Sequence, residues 1–526
     1  MRAQKLASIL AMAVAAMLMG LTCQENTDNL ANEDYVRGPL EFPDDPYMPA
    51  AREARPAVPA AAPLRGPYVS AQVNVDSDGN NIVGDAANEP SIAVDPTNPN
   101  HMAIGWRQFD TIASNFRQAG WGYTTDGGRT WTFPGVLEPG VFRSDPVLDF
   151  TADGDFFYNS LVVDDDDNYS CTIFKSVNGG MTWDAGVYAY GGDKAWMAID
   201  RTGGIGDGNI YHAWDYAGCC GDNWFTRSTD GGLTYEFPVP VPGRPIWGVT
   251  TVGPDGEVYV AGRLESTGSQ FVVAKSTTVQ DPMVAMAFDF AQPIDLGGSL
   301  RYFVDDSPNP EGLLGQVWIA TDHSTLPTRG NVYVLASVDP PGDDPLDLHF
   351  IRSTDGGVSW SVPIRINDDA AGTNAWQWFG TLAVAPNGRI DVIWNDTRND
   401  PGGYDSELYY SYSTDAGGTW SVNEALSVPF DPHLGWPQQN KLGDYYHMVS
   451  DLVGAHVAYA ATFNGEQDVY YLRIGDYDCN NNGVGDETDI ADGTSDDCQP
   501  NGIPDECETD CNDNSVPDDC DIAQGT

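Results

Sequence analysis

Two sets of residues in this 526-residue chain have the types and spacing to do chemistry. The first lies at the C-terminal end, in DCNNNGVGDETD from Asp478, DCQPNGIPDECE from Asp497 and DCNDNSVPDDCD from Asp510. Each phrase sets oxygen-bearing side chains at positions 1, 3, 5, 9 and 12, the spacing of a loop that wraps a hard cation such as calcium. The candidate ligands are Asp478, Asn480, Asn482, Asp486 and Asp489 in the first loop. They are Asp497, Gln499, Asn501, Asp505 and Glu508 in the second, and Asp510, Asn512, Asn514, Asp518 and Asp521 in the third. Gly483 permits the sharp bend of the first loop and Val484 offers a carbonyl.

The second set gathers scarce arginines. Only 25 Lys and Arg stand against 77 Asp and Glu, a formal charge of -52. That charge repels nucleic acid and anionic membranes and favours cations. Yet Arg107 in GWRQFD, Arg143 in FRSDP, Arg263 in AGRLE and Arg398 in WNDTR stand close to acids and aromatics: Asp215 in AWDY, Asp396 beside Arg398, and Asp444 and Tyr445 in GDYY. Trp196, Trp247, Trp376 and Trp378 lie in neighbouring segments. A guanidinium fork suits a carboxylate and a broad indole face suits a sugar ring, so a carbohydrate or glycoprotein ligand is the expected partner. Salt bridges such as Arg398 with Asp396 are the competing explanation.

These residues need a scaffold, and a repeat supplies it. TTDGGRTW begins at Thr124, SVNGGMTW at Ser176, STDGGLTY at Ser228, STDGGVSW at Ser353 and STDAGGTW at Ser413, with a worn copy at Ser276. A β-rich run precedes each copy and a short strand follows it, so each phrase is a hairpin turn. A second pattern, two strands joined by a Gly, Asp, Asn or Pro turn, recurs in SIAVDPTNPNHMAIGW, WMAIDRTGGIGDGNIYHAW and TLAVAPNGRIDVIW. Together they make four-stranded antiparallel units, the blades of an all-β propeller. Seven are predicted, with six the alternative. The seventh lacks a fourth strand, and VSAQVNVDSDGNN from Val69, which resembles PIRINDDAAGTN from Pro363, is expected to complete it and close the ring.

At these turns the chain resembles the Asp-box, or BNR-repeat, proteins typified by sialidases, over about residues 67–475. The matching positions are Thr124, Asp126, Gly128, Thr130 and Trp131, and Ser353, Asp355, Gly357, Ser359 and Trp360, with departures at Asn178 and Tyr235. The resemblance implies a carbohydrate-directed propeller, either a glycoside hydrolase of exo-sialidase type or a noncatalytic binding scaffold of the cell envelope. It also implies a site at the end of the ring opposite the repeat turns, where the second-to-third-strand and blade-to-blade loops lie. The family's F-R-I-P motif is absent ahead of the first turn, no Tyr and Glu pair is assignable, and no catalytic residue is assigned.

The expected organisation is a signal peptide over residues 1–23, a disordered Ala/Pro-rich spacer over 24–66, the propeller over 67–475 and a calcium-loop tail over 476–526. The protein is expected to be secreted, or anchored to the envelope through a lipidated Cys23, with no membrane span in the mature chain. The tail, which has no Lys or Arg after Arg473, resembles the type 3 repeats of thrombospondins and, more loosely, dockerin loops. It could also dock an envelope partner. Cys498 with Cys507 and Cys511 with Cys520 could staple loops that lack a hydrophobic core, while Cys479 lacks a mate because Thr488 stands where it would be. Cys171 could bond to Cys219 or Cys220, or those neighbours to each other.

Overall fold

The computed structural model describes Pro46, Tyr47, Pro49 and residues 57–164, 168–266, 270–508, 510 and 516–524. The signal peptide, most of the spacer, Asn512, Asn514 and Cys511 lie outside these residues. The described chain is a seven-bladed antiparallel propeller. The innermost strands of the blades are Ala86–Val94, Ser144–Phe150, Trp196–Ile199, Thr250–Val252, Trp318–Thr321, Gln377–Val384 and His447–Ser450. Each packs on the next, and the seventh packs on the first. Covered on both faces, these strands are largely buried, and every residue of Ala86–Val94 is, the polar Asn88 and Glu89 included.

Closure follows the expected plan. Strand Tyr68–Gln72 pairs antiparallel with Asp468–Gly475, with Ser70 opposite Leu472 and Gln72 opposite Tyr470, so the N-terminal strand lies at the outer edge of the last blade. Strand pairing starts earlier than composition suggests, because Val58–Pro59 pairs with Asn80–Asn81 and Leu64–Arg65 with Tyr68–Val69. Blade three has three ladder strands, and the single bridge from Phe225 to Val239 stands in for a fourth.

The repeat turns do structural work. In the first, Asp126 Oδ1 accepts from the Thr130 N–H at 2.9 Å and from the Thr124 hydroxyl at 2.7 Å. The same bonds recur at Asp230, Asp355 and Asp415, and Asn178 serves in the second copy. The Asp355 and Asp415 carboxyls are held down at about 2, by hydrogen bonds from Ser359 and from Thr419 respectively. Trp131 packs on Tyr471 of the last blade, 5.4 Å between rings. Gly128, at φ +87, leaves room for that tyrosine, whose ring a Cβ would meet at 2.3 Å.

The loops that end the inner strands and the repeat turns lie at one end of the ring. At the other end, five of the seven blades carry a non-glycine residue with positive φ where the inner strand begins: Glu89, Asp145, Lys194, Trp247 and Phe379. Bulges accompany it at Asn88/Ser91 and Trp378/Thr381.

The tail follows the last strand. It holds helix Asp486–Asp492, a short 3₁₀ turn at Asp505–Cys507 and helix Asp518–Gln524. The disulfides join Cys479 to Cys507 and Cys498 to Cys520, with Cα separations of 6.0 and 6.2 Å. This corrects the expected Cys498–Cys507 and Cys511–Cys520 pairings, since Cys507 bonds Cys479 and Cys520 bonds Cys498, and it gives Cys479 a partner. Each of the first two loops is closed by carboxylate-to-backbone bonds of its own, so the bridges are left to tie one loop to the next. Cys171, buried, and Cys219 and Cys220, half-buried, are free thiols, so neither the expected bond from Cys171 to one of the pair nor one between the neighbours is formed. Among the described residues no helix is long and apolar enough to cross a membrane.

Candidate functional site

The end opposite the repeat turns holds most of the predicted residues, and there they form a buried ionic layer. Lys194 Nζ lies 2.9 Å from Asp444 Oδ2, 3.0 Å from Asp193 Oδ1 and 3.5 Å from Asp145 Oδ2. Lys441 reaches the same Asp444 oxygen at 3.0 Å. Arg107, with no exposed surface, donates through Nε to Asn88 at 2.8 Å and lies 3.2 Å from Glu89. Arg143 is paired with Glu138 and bonds the Ser160 carbonyl. Arg263 stacks over Trp247 at 4.7 Å and Tyr302 at 5.2 Å. Asp215 accepts from the Ala217 N–H, and the Tyr445 hydroxyl donates to the Pro146 carbonyl at 2.8 Å. Farther out on blade six, Arg398 bridges Asp396 and Asp368 at 2.8 and 2.6 Å and covers Tyr409.

Burial sets the charge states of this layer. It pushes the Glu89 carboxyl up to about 8, against the pull of Arg107, and Asp215 up to about 7. Burial would raise Asp444 too, but Lys194, Lys441 and Arg107 outweigh it and hold that carboxyl well below its usual range. The Tyr445 phenol is pushed well above its usual value by burial.

Two irregular segments cover the layer. Asn309 donates to the Leu313 and Gly443 carbonyls at 2.6 and 2.8 Å and accepts from the Leu442 N–H at 2.7 Å. Asp444 Oδ1 accepts from the Leu313 N–H at 2.7 Å. Gly443, at φ +93, lets this clasp close, since a Cβ there would lie 2.5 Å from Glu89 Cγ. The clasp closes the mouth at which the resemblance placed a ligand.

A cavity opens at the repeat-turn end, a pocket of about 650 Å³ along the ring axis. Rings from three alternate blades line it: Trp196, Trp318 and His447. Trp196 meets Trp318 edge-on at 5.0 Å and Tyr445 at 5.4 Å, so the pocket and the ionic layer are neighbours along the axis. Trp318 stacks on His447 at 5.8 Å. His447 Nδ1 accepts from the Ile92 N–H at 3.2 Å and contacts the Ser91 hydroxyl at 2.9 Å, which assigns its proton to Nε2. Burial pushes this imidazole down to about 3, so it is neutral in use. The rim carries the Arg201–Asp149 pair at 2.6 Å, His323, Asp451, and Asp478 and Asn481 from the tail.

Of these residues, sequence reasoning singled out Trp196 and Asp478. It passed over Trp318, His447 and Arg201. The signal was present: WMAI, WIAT and HMVS occupy equivalent inner-strand positions, and aligning the inner strands register by register brings their rings to one level.

The first tail loop docks beside this mouth. Asn481 donates to the Pro96 carbonyl at 3.0 Å, Asn100 to the Cys479 carbonyl at 3.3 Å, and Arg129 stacks on Tyr477 at 4.1 Å. Asp478 accepts from the Asn482 and Gly483 N–H groups at 3.0 and 2.8 Å, while Asp486 accepts from Cys479 at 2.8 Å. The second loop repeats these bonds: Asp497 with Asn501 and Gly502, Asp505 with Cys498.

No protein-family model and no curated protein matches the chain. Among solved structures it is similar to a protein of unknown function from Dyadobacter fermentans, at 13% identity over 80% of this chain and 100% of that chain, TM-score 0.43. It is also similar to an α-L-arabinofuranosidase from Fusarium graminearum, at 11% identity over 77% and 97%, TM-score 0.41. A third is a Trypanosoma rangeli sialidase, at 12% identity over 77% of this chain and 57% of that one, TM-score 0.38. These are likenesses of fold.

Proposed function

We propose that the chain is an exported carbohydrate-binding propeller whose ligand occupies the axial pocket on the repeat-turn face, and whose tail loops hold calcium. The observation that carries the reading is the Trp196–Trp318–His447 group in a pocket rimmed by Arg201, Asp149 and Asn481. Flat apolar rings beneath a fringe of hydrogen-bonding groups suit a pyranose, whose faces are apolar and whose edge is hydroxylated. The Arg143 and Arg398 guanidiniums are engaged by protein acids, which supports binding over sialidase-type turnover.

Calcium fits the donor set. The first two loops are lined by carboxylate and amide side chains and folded by matching backbone N–H bonds to their first and ninth carboxylates. Asp478, Asn480, Asn482, Asp486 and Asp489 would hold one ion, and Asp497, Gln499, Asn501, Asp505 and Glu508 another. The ion would offset carboxylate repulsion and stiffen the loop at the pocket rim.

Hydrolysis is the second reading, favoured by one observation: Tyr445, Glu89 and Arg107 share the ionic layer, and the Arg107 Nη atoms find no hydrogen-bond partner among the described residues. It requires the Asn309 clasp to open.

A glycan array run beside a fluorogenic sialoside assay separates the readings. Binding lost in Trp318→Ala and kept in Arg398→Ala, without turnover, supports the module. Turnover abolished by Tyr445→Phe supports the enzyme. No signal on any glycan overturns both.

A further inference from the structure

We propose that Cys219 and Cys220 are a redox pair that closes into a vicinal disulfide, clamping the loop that braces the ionic layer. The two sulfurs lie 2.6 Å apart. The two thiols thus face each other across a single peptide unit, with no other side chain between them. The local chain is built for it. Cys220 adopts φ +73, an uncommon conformation for a residue with a Cβ. The Cys219 N–H is pinned to the Gly191 carbonyl at 3.0 Å. The Cys220 carbonyl accepts from the Asn223 side chain at 3.1 Å, and Trp224 Nε1 donates to Gly221 at 2.7 Å. Both cysteines are half-buried and so within reach of a small oxidant, whereas Cys171 is fully buried beneath Gly191 and directs its sulfur to the Gly192 carbonyl at 3.8 Å.

The loop matters because of what it braces. Residues 215–219 run against 191–193: Gly192 bridges Gly218, the Asp193 N–H donates to Ala217 at 2.6 Å, and the Asp215 N–H donates to Asp193 at 3.2 Å. The next residue, Lys194, is the cation on which Asp145, Asp193 and Asp444 converge. A ring joining Cys219 to Cys220 removes the freedom of this brace to peel away and so favours the layer's closed arrangement.

The reaction is thiol–disulfide exchange with a low-molecular-weight disulfide. One cysteine sulfur attacks it and expels a thiol. The neighbouring sulfur then displaces the second thiol, so two cysteine protons and two electrons pass to the oxidant and one S–S bond forms in the protein. That an oxidising compartment supplies such a disulfide rests on the export reading, which the tail disulfides report separately.

The test uses the full chain equilibrated with oxidised glutathione, blocked with iodoacetamide and digested with trypsin. The peptide 202–227 contains Cys219 and Cys220 and no other cysteine. It is expected to be unlabelled and two hydrogens lighter than its reduced form, and to take two labels after reduction. Amide exchange over residues 214–224 should rise severalfold on reduction, and not in the Cys219→Ser, Cys220→Ser double variant. Labelling of both cysteines before reduction while the tail cysteines stay blocked, or linkage of either to Cys171 or glutathione, overturns the proposal. Tail cysteines that are reduced in protein taken directly from its host, before any glutathione is added, would count against export alone.

Discussion

Asn74 Nδ2 donates to Asp468 Oδ1 at 2.7 Å across 394 residues of sequence, and its carbonyl oxygen accepts from the Val469 N–H at 3.0 Å. One amide side chain thus holds the first strand of the ring to the last. Removing residues 67–76 uncovers the outer edge of Asp468–Gly475 and its row of unpaired backbone groups. The expected outcome is a lower melting temperature and concentration-dependent aggregation, read by calorimetry and light scattering. Asn74→Ala should cost about 1–3 kcal/mol in urea unfolding, since Asp468 is left buried without its donor.

Stability should fall as pH rises through the neutral range. The folded state holds Glu89 at about 8, and Asp215 and Asp468 at about 7, while the same carboxyls titrate near 4 when free. From about pH 4 upward the fold keeps protons that the unfolded chain releases, so these three groups cost stability until about pH 8.5. His447 at about 3 and His212 at about 4 stay neutral in the fold while the unfolded chain protonates, so below about pH 6.5 they offset most of that trend. The fall should therefore be shallow between about pH 4.5 and 6 and steepest just above about pH 6.5. Urea midpoints across this range check both regions, and Glu89→Gln should lessen the alkaline fall.

The clasp over the ionic layer depends on Asn309. Replacing it with Ala leaves the Gly443 and Leu313 carbonyls and the Leu442 N–H without their bonds, an expected loss of about 2–3 kcal/mol. Hydrogen exchange should rise first over residues 433–444, ahead of any change in the blades.

Calcium should bind the tail loops with affinity on the order of 10⁻⁴–10⁻³ M, the range of extracellular modules. Asp478→Ala should remove one site in a calorimetric titration and Asp497→Ala another. Chelation should increase protease cleavage within residues 476–524 more than within the blades. A tail of unchanged protease resistance at millimolar calcium would count against the loops as sites.

The propeller was legible because its signal is repeated: seven inner strands, each a buried run followed by a turn, cannot arise from one ambiguous segment. The closing strand was legible because Val69–Asn81 resembles a segment that precedes another blade. The mouth was not. The segments around Asn309 and Lys441 that cover it carry no periodicity, so nothing in their composition announces that Arg107 and Asp444 lie beneath them. Arginine beside aspartate reads the same in sequence whether the pair awaits a ligand or satisfies itself. The tail cysteines failed for a related reason. Spacing along the chain favoured bonds within a loop, whereas the loops' own carboxylate bonds left the sulfurs to join one loop to the next.

A ring that ends where it starts imposes an order on its own manufacture. Tyr68–Gln72 leaves the ribosome early, but the strand that completes its blade follows some 394 residues later, a wait of about 20–80 s at ordinary rates of synthesis. Until then every partly made chain carries two open edges. A prematurely terminated chain never loses them, so cellular proteases can tell an unfinished copy from a finished one without reading any particular residue.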